Sequence, residues 1–425
     1  MTIAANNPEL KSWVEIPAQS DFPIQNLPFG SIRPAGKTPR AGVAIGHYVL
    51  DLYELSRHGL LSELGFPKAC YGSRHLNALM QAAGKDGMRA LRQRVSDLLN
   101  ADNDELKGND QIRTAALIPS EHVDLLMPVR VRDYTDFYAS EQHAFNVGAM
   151  FRDPDNALLP NWKRLPVGYH GRASSIVASG VPVRRPKGQR KPPDADEPVF
   201  GPSQRLDFEL EMAFVTFAGK PLGESISTGE ADDYIFGLML FNDWSARDIQ
   251  AWEYVPLGPF LGKNFGSSVS PWIVTLDALE PFRVASPEQD PPVLPYLQQA
   301  GDAHYDVALE VCIETPAGQE NCVTRSNLRH LYWSMRQQLA HHTVNGCNIN
   351  VADMLASGTI SGSEPEAYGS MLELSWGGKN PITLSDGTER SFINDGDTVI
   401  MRGHAERDGV RVGFGEVRSQ VLPAN

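Results

Sequence analysis

Cysteine is scarce in this chain: four among 425 residues (Cys70, Cys312, Cys322 and Cys347), with no CxxC spacing. Neither a disulfide framework nor a thiolate zinc site is therefore expected. No apolar run approaches the roughly 20 residues that span a bilayer. The stretch Met1–Pro8 lacks the basic and apolar regions of a secretory leader. Basic charge is outnumbered, 38 Lys and Arg against 52 Asp and Glu, for a net charge of −14. That balance argues against a general nucleic-acid or anionic-membrane surface. No GxxxxGK[ST] loop, internal repeat or long linker is present. The remainder is ordinary globular composition, 41% hydrophobic and 21% charged, which argues against disorder. A chain of this length supports a large core and two or three domains. A soluble, cytoplasmic protein is the expectation.

The strongest pattern is Leu206–Phe214. Leu206, Phe208, Leu210, Met212 and Phe214 alternate with Asp207, Glu209, Glu211 and Ala213, the period of a half-buried strand. Asp207, Glu209 and Glu211 then project together, and carboxylates that close either raise a pKa or recruit a cation. A solvated strand face is the plainer alternative for a single acidic pair. A further acid comes from a similar context: Asp243 follows the apolar run Ile235–Phe241 and precedes Arg247. Adjacent strands offering carboxylates in one direction make an oxygen-rich pocket for a hard divalent ion.

The region 13–60 is rich in Pro and Gly, and Val43–Leu52 reads as a small barrel or hairpin unit. Met88, Leu91, Val95, Leu98 and Leu99 share a helix face, closed by the polar turn 100–104. A boundary is placed near Ile118–Ser120, giving a more structural first domain, 1–118, and a second, β-rich domain, 119–425. Ser140 is a plausible N-cap for a helix through Ala144–Met150. His143 would lie in its first turn, where the dipole favours a neutral imidazole, near Asp136 and Tyr138 and with Arg152 just beyond. A packed histidine without chemistry is the plainer alternative. Asn161–Trp162 and Pro166–Arg172 read as a loop with polar tips, and the basic, Pro-rich 181–198 as a solvated loop between strands. Gly262 and Gly266 flank Lys263 where ammonium and backbone can approach a ligand. Ser326 can cap a helix carrying Leu328, Leu331, Tyr332, Met335 and Leu339, with His341 and His342 as capping or packing residues near its cation-favouring end. Residues 356–363 form a Gly/Ser turn rich in donors. Beyond it Leu372, Leu374 and Trp376 alternate with Glu373 and Ser375, so that Glu373 can reach the acidic interior. The tail from Asp395 to Val421 alternates strands and Gly turns.

Five stretches together resemble the fumarylacetoacetase family over nearly the whole chain: DYTDFYASEQHAFNVGAMFR (133–152), NWKRLPVGYHGRASS (161–175), LDFELEMAF (206–214), FNDWSARDIQAWEYVPLGPFLGKNFG (241–266) and LASGTISGSEPEAYGSMLELSW (355–376). The resemblance implies a mainly β fold with some α: an SH3-like N-terminal barrel followed by a mixed β-sandwich roll, in a homodimer. It implies metal ligation by Asp136, Glu209, Glu211 and Asp243, and four carboxylates with no thiolate select Mg²⁺ or Ca²⁺. Lys263, Gly266 and Ser267 fall where the family makes a further contact to the metal environment; Ser267 departs from the threonine usual there but keeps the hydroxyl. The implied general base is His143, oriented by Glu373. Arg247, Gln250 and Lys263 match groups that stabilise developing negative charge, and Tyr138, Arg152, Tyr169, Arg247, Gln250, Tyr254 and Thr359 match substrate contacts.

The implied reaction is hydrolysis of the carbon–carbon bond of 4-fumarylacetoacetate to fumarate and acetoacetate, the last step of tyrosine and phenylalanine catabolism. Two other readings compete. A related reaction, such as oxaloacetate decarboxylation, shares the metal and enolate chemistry but needs no water-activating His–Glu pair. A non-enzymatic module holding a structural Ca²⁺ predicts no perturbed acid–base groups near the cluster.

Overall fold

The computed structural model describes residues 3–425, a mixed α/β architecture built on two large sheets. Near the N-terminus, Phe29–Pro34, Arg40–Ile45 and Tyr48–Asp51 form an antiparallel meander. Gly46, with φ of +55°, turns the Val43–Leu52 run back on itself, so that run is a hairpin. Leu117–Pro119 extends the meander on one side, and Val123–Leu126 pairs with Ser31–Pro34 on the other. These outer strands do not pair with each other, and no closed barrel forms among the described residues. The start of the first strand goes elsewhere: Phe29 and Gly30 pair with Ile273 and Trp272 and carry the meander into the central sheet. A helix over Asn77–Leu99, broken at Gly84, covers this region, and Met88, Leu91, Val95, Leu98 and Leu99 are all buried.

From Trp272–Thr275 the central sheet continues through Ile235–Asp243, Leu210–Thr216, Met354–Ala356, Tyr134–Phe137 and Gly168–His170. A five-stranded sheet lies over it, led by the long pair Thr398–Arg407 and Val410–Leu422. Leu238 and Leu240 of the first sheet share one buried cluster with Val399, Met401 and Val417 of the second. Two facing sheets that bury their inner faces make the sandwich.

Several sequence expectations are corrected by this arrangement. Leu206–Phe214 is not one half-buried strand. It is Leu206–Asp207, a break at Phe208–Glu209, and then Leu210–Thr216, buried on both faces. The covering sheet and helices leave no solvated side, so the acids are interior groups. Helix formation begins after Ser334, which makes a capping box with Gln337, whereas Ser326 lies in the Glu320–Asn327 strand. Burial pushes the imidazoles of His341 and His342 below their usual range, which outweighs the cation-favouring helix end. Met371–Leu374 is a short helix despite its alternation. The basic 181–198 stretch contributes the Lys187–Arg190 strand of a hairpin, and Gly168–His170 is an edge strand. Cys312 and Cys322 are directly opposed in an antiparallel register and form a disulfide, although the cysteine spacing gave no indication of a disulfide framework.

Candidate active site

Strand pairing assembles the acids. Leu210 pairs with Asn242, so Glu209 and Asp243 lie opposite each other at the ends of neighbouring strands, joined by the Asp243 amide donating to the Glu209 carbonyl at 3.3 Å. Asp136 arrives from the strand parallel to Met354–Ala356, in register with Ala356. Oxygens of Asp136, Glu209, Glu211 and Asp243 all lie within 4.8 Å of one another, and every one of these side chains is buried. Asp207 does not join them. Its carboxylate accepts from the amides of Met371 and Leu372 at 2.7 and 2.9 Å and from Arg247 Nε at 2.8 Å. The break in the strand after Asp207 separates it from Glu209 and Glu211.

Two cations partly neutralise the cluster. Lys263, itself buried, bonds to Glu209 and lies 2.6 Å from Asp243 Oδ2, and Arg247 Nη1 lies 2.8 Å from Glu209 Oε1. Burial pushes Glu209 up, but Lys263 and Arg247 outweigh it and hold that carboxyl well below its usual range. Burial would lower Lys263, yet Asp243 and Glu209 raise it and keep it an ammonium. At Asp136 and Glu211 Lys263 offsets burial only in part. Burial first, then the neighbouring carboxylates, pushes both far above the ordinary range. Ser267 Oγ and Tyr169 Oη donate to Asp243 at 2.9 and 3.0 Å, and the Gly358 amide donates to Glu211 at 3.0 Å. Asp136 Oδ1 and Glu211 Oε1 nevertheless remain buried without a hydrogen-bond partner. Unpaired buried carboxylate oxygens are costly, and an oxygen-only cradle of this kind fits a hard divalent cation.

Beside the cradle stands a buried histidine pair. Ser140 caps the Glu141–Phe151 helix by accepting from the amide of His143, which fixes His143 in the first turn. His143 Nδ1 is 2.7 Å from Glu373 Oε2. Glu373 also accepts from Asn146 Nδ2 at 2.9 Å, Ser361 Oγ at 3.0 Å and Ser370 Oγ at 2.8 Å. Burial raises this carboxyl, but His143 and these donors hold it below its usual range. With Nδ1 committed to a carboxylate, Nε2 is the ring nitrogen free to accept a proton. Glu373 and Glu209 both act electrostatically on Tyr138, which places the pair beside the cradle. Tyr138 packs edge-on against the His143 ring, with centroids 5.3 Å apart.

Asn146, Ser361 and Ser370 were not singled out from sequence. Asn146 could have been, being one helical turn after His143. Ser370 could also have been, since Ser-x-x-Glu is a capping pattern that returns to Glu373. Gln250 lies one turn from Arg247 on the helix Arg247–Glu253 and is half-buried. Thr359 Oγ1 is buried without a partner, as is Arg247 Nη2. Arg152 and Tyr254 are exposed, and Arg152 acts on Tyr138 electrostatically.

A carboxylate cradle fit for a hard cation thus stands beside a histidine held by a buried glutamate, a pairing found in hydrolytic enzymes. Residues 25–128 match the family model "Fumarylacetoacetase N-terminal", and residues 133–422 match "Fumarylacetoacetate (FAA) hydrolase C-terminal". The fumarylacetoacetase of Arabidopsis thaliana is 50% identical over 98% of this chain and 99% of its own length. That of Homo sapiens is 49% identical over 97% and 99%. Among solved structures, the fumarylacetoacetate hydrolase of Exiguobacterium antarcticum shares the fold, with a TM-score of 0.52 and 17% identity over 94% of this chain and all of that one. The chain belongs to the fumarylacetoacetase family.

Proposed function

We infer that the protein hydrolyses the carbon–carbon bond of 4-fumarylacetoacetate to fumarate and acetoacetate, the last step of tyrosine and phenylalanine catabolism. The observation that carries this reading is the 2.7 Å His143–Glu373 contact beside the four-carboxylate cradle. A decarboxylase needs no such pair, and a structural Ca²⁺ module needs no perturbed acid–base groups, so both competing readings lose support here.

In this reading Asp136, Glu209, Glu211 and Asp243 would hold Mg²⁺ or Ca²⁺, which when bound supplies a Lewis acid for the 1,3-diketone. Lys263 and Ser267 support that set from behind. An ammonium has no lone pair to give a metal, so Lys263 holds Glu209 and Asp243 in place, and Ser267 orients Asp243. His143 Nε2 takes the proton of the attacking water while Glu373 stabilises the imidazolium that results. Arg247, with an uncommitted buried Nη2, and Gln250 and Lys263 provide donors for the oxyanion and the leaving enolate. Tyr138, Arg152, Tyr169, Tyr254 and Thr359 are read as substrate contacts, with the unpaired Thr359 hydroxyl a donor to the bound diketone. We also read the chain as a cytoplasmic homodimer, divided into 1–118, an SH3-like unit, and 119–425, the catalytic unit. No helix among the described residues is long and apolar enough to cross a membrane.

The test is loss of the diketone absorbance of fumarylacetoacetate on adding protein, before and after EDTA and after restoring Mg²⁺ or Ca²⁺. Metal-dependent loss with equimolar fumarate is expected. Folded protein that leaves the absorbance unchanged under every metal removes the reading, and oxaloacetate becomes the next substrate to try.

A further inference from the structure

The motif Gly168–Ser175 gives only Tyr169 to the site above. His170, Arg172 and Ser174 line a separate cavity of about 600 Å³ together with Arg132, Thr135 and His342. The two strands that form its floor alternate. Thr135 pairs with His170 and Asp136 with Tyr169, and only the first pair lines the cavity, while Asp136 and Tyr169 belong to the carboxylate site. The cavity and the cradle are thus back to back across one layer of sheet.

The walls carry uncommitted donors. Arg132 and Arg172 are exposed, and neither makes an ion pair among the described residues; Arg172 Nε only donates to Ser174 Oγ at 2.8 Å. His342 Nε2 meets Thr135 Oγ1 at 2.9 Å, and its Nδ1 is buried with no partner. Of the wall acids, Asp353 is fully engaged and the exposed Asp133 only through one oxygen. Asp353 accepts from the Asp133 and Asn350 amides at 3.1 and 2.7 Å, and Asp133 Oδ2 faces Asn350 Nδ2 at 3.4 Å. A volume of this size suits a small organic ligand. Two guanidiniums with unused forks suit carboxylates in the bidentate manner.

We propose that this cavity is a second binding site, distinct from the carboxylate cradle, for a small dicarboxylate anion. Arg132 and Arg172 hold its charged ends.

Succinate serves as the probe, titrated calorimetrically into full-length, metal-loaded protein. Wild type binds it, and Arg132→Gln with Arg172→Gln weakens binding about tenfold or more, the loss of strong charge-assisted contacts. The same double variant keeps wild-type kcat/KM for fumarylacetoacetate when succinate is absent. Asn348→Trp, an exposed wall position that narrows the cavity without changing charge, also weakens succinate binding and covers the case in which the double variant folds poorly. No heat at succinate concentrations in the tens of millimolar overturns the proposal. So does wild-type affinity in both variants, which would place the anion elsewhere.

Discussion

His143, the proposed general base, is isolated from bulk water, which makes its removal informative. The helix cap is retained when the imidazole is cut to a methyl, because Ser140 accepts from the backbone amide and not the side chain. We expect His143→Ala to lower kcat by about 10²- to 10⁴-fold, the range for a positioned general base, while substrate still binds. Stopped-flow binding and steady-state turnover check the two parts separately, and near-wild-type turnover would remove His143 as the base. Glu373→Gln keeps the size of the partner but replaces a charge with an amide that no longer stabilises the imidazolium. A drop in kcat of similar order, with KM little changed, is expected. A different histidine governs stability. Burial holds His304 down at about 4, against an ordinary value near 6.5. The folded state resists its protonation, so this contribution is intact above pH 6.5 and is lost as pH falls toward 4. Roughly 2.5 pH units correspond to about 3 kcal/mol. Urea midpoints measured across that window should fall for wild type and stay flatter for His304→Asn.

At the scale of elements, the helix Met371–Leu374 is only one turn long, yet it carries Glu373. It is held by Asp207, which accepts from two of its amides and from Arg247. One carboxylate therefore holds both the turn that carries Glu373 and the guanidinium of Arg247. Asp207→Asn keeps the shape but loses the charge in a fully buried pair, where breaking one partner costs about 3 to 5 kcal/mol. We expect a lower thermal midpoint together with a kcat loss of about tenfold or more, read on the fraction that remains folded. Normal kcat per folded molecule would show that Asp207 only holds the fold. This residue also marks how far the sequence could be read. Its alternation with Leu206 and Phe208 pointed to extended chain, which Leu206–Asp207 is, but to a half-buried strand where the structure has fully interior carboxylates. The break after it depends on the Glu209–Ser370 bridge, a contact 161 residues away that no local period encodes. Ser140, by contrast, is legible because a cap acts within three residues. The Ser326 cap failed for the complementary reason: apolar spacing continued across a strand end and a 3₁₀ turn, and only the capping box at Ser334 distinguishes the true start. The fully buried strand Leu210–Thr216 was read as half-buried because alternating acids imitate a solvent face, and nothing local tells that a second sheet covers it.

At the scale of the whole molecule, the cradle ties together strands distant along the chain. Asp136, Glu211 and Asp243 lie on three strands of the central sheet, with Met354–Ala356 inserted between the first two. Lys263 and Arg247, the latter shared with Asp207, supply two positive charges beside the four carboxyl groups of the cradle, and the oxygens left without a partner fall on Asp136 and Glu211. In the proposed reading a divalent cation would offset much of this negative charge, and Asp136 and Glu211 carry the free oxygens to hold it. It would therefore bind the folded chain and not the unfolded one, in which the carboxylates are dispersed. Binding linkage then stabilises the fold by about 2.7 kcal/mol at a hundredfold excess of ion over Kd. EDTA treatment should lower the thermal midpoint by several degrees, and added Ca²⁺ or Mg²⁺ should restore it in proportion to the logarithm of its concentration. Glu211→Gln removes one negative charge and leaves an amide oxygen in its place. It should make the metal-free protein relatively more stable while shrinking the metal-induced rise. Equal melting with and without ion, in wild type, would mean that protons on Asp136 and Glu211 meet the charge deficit by themselves.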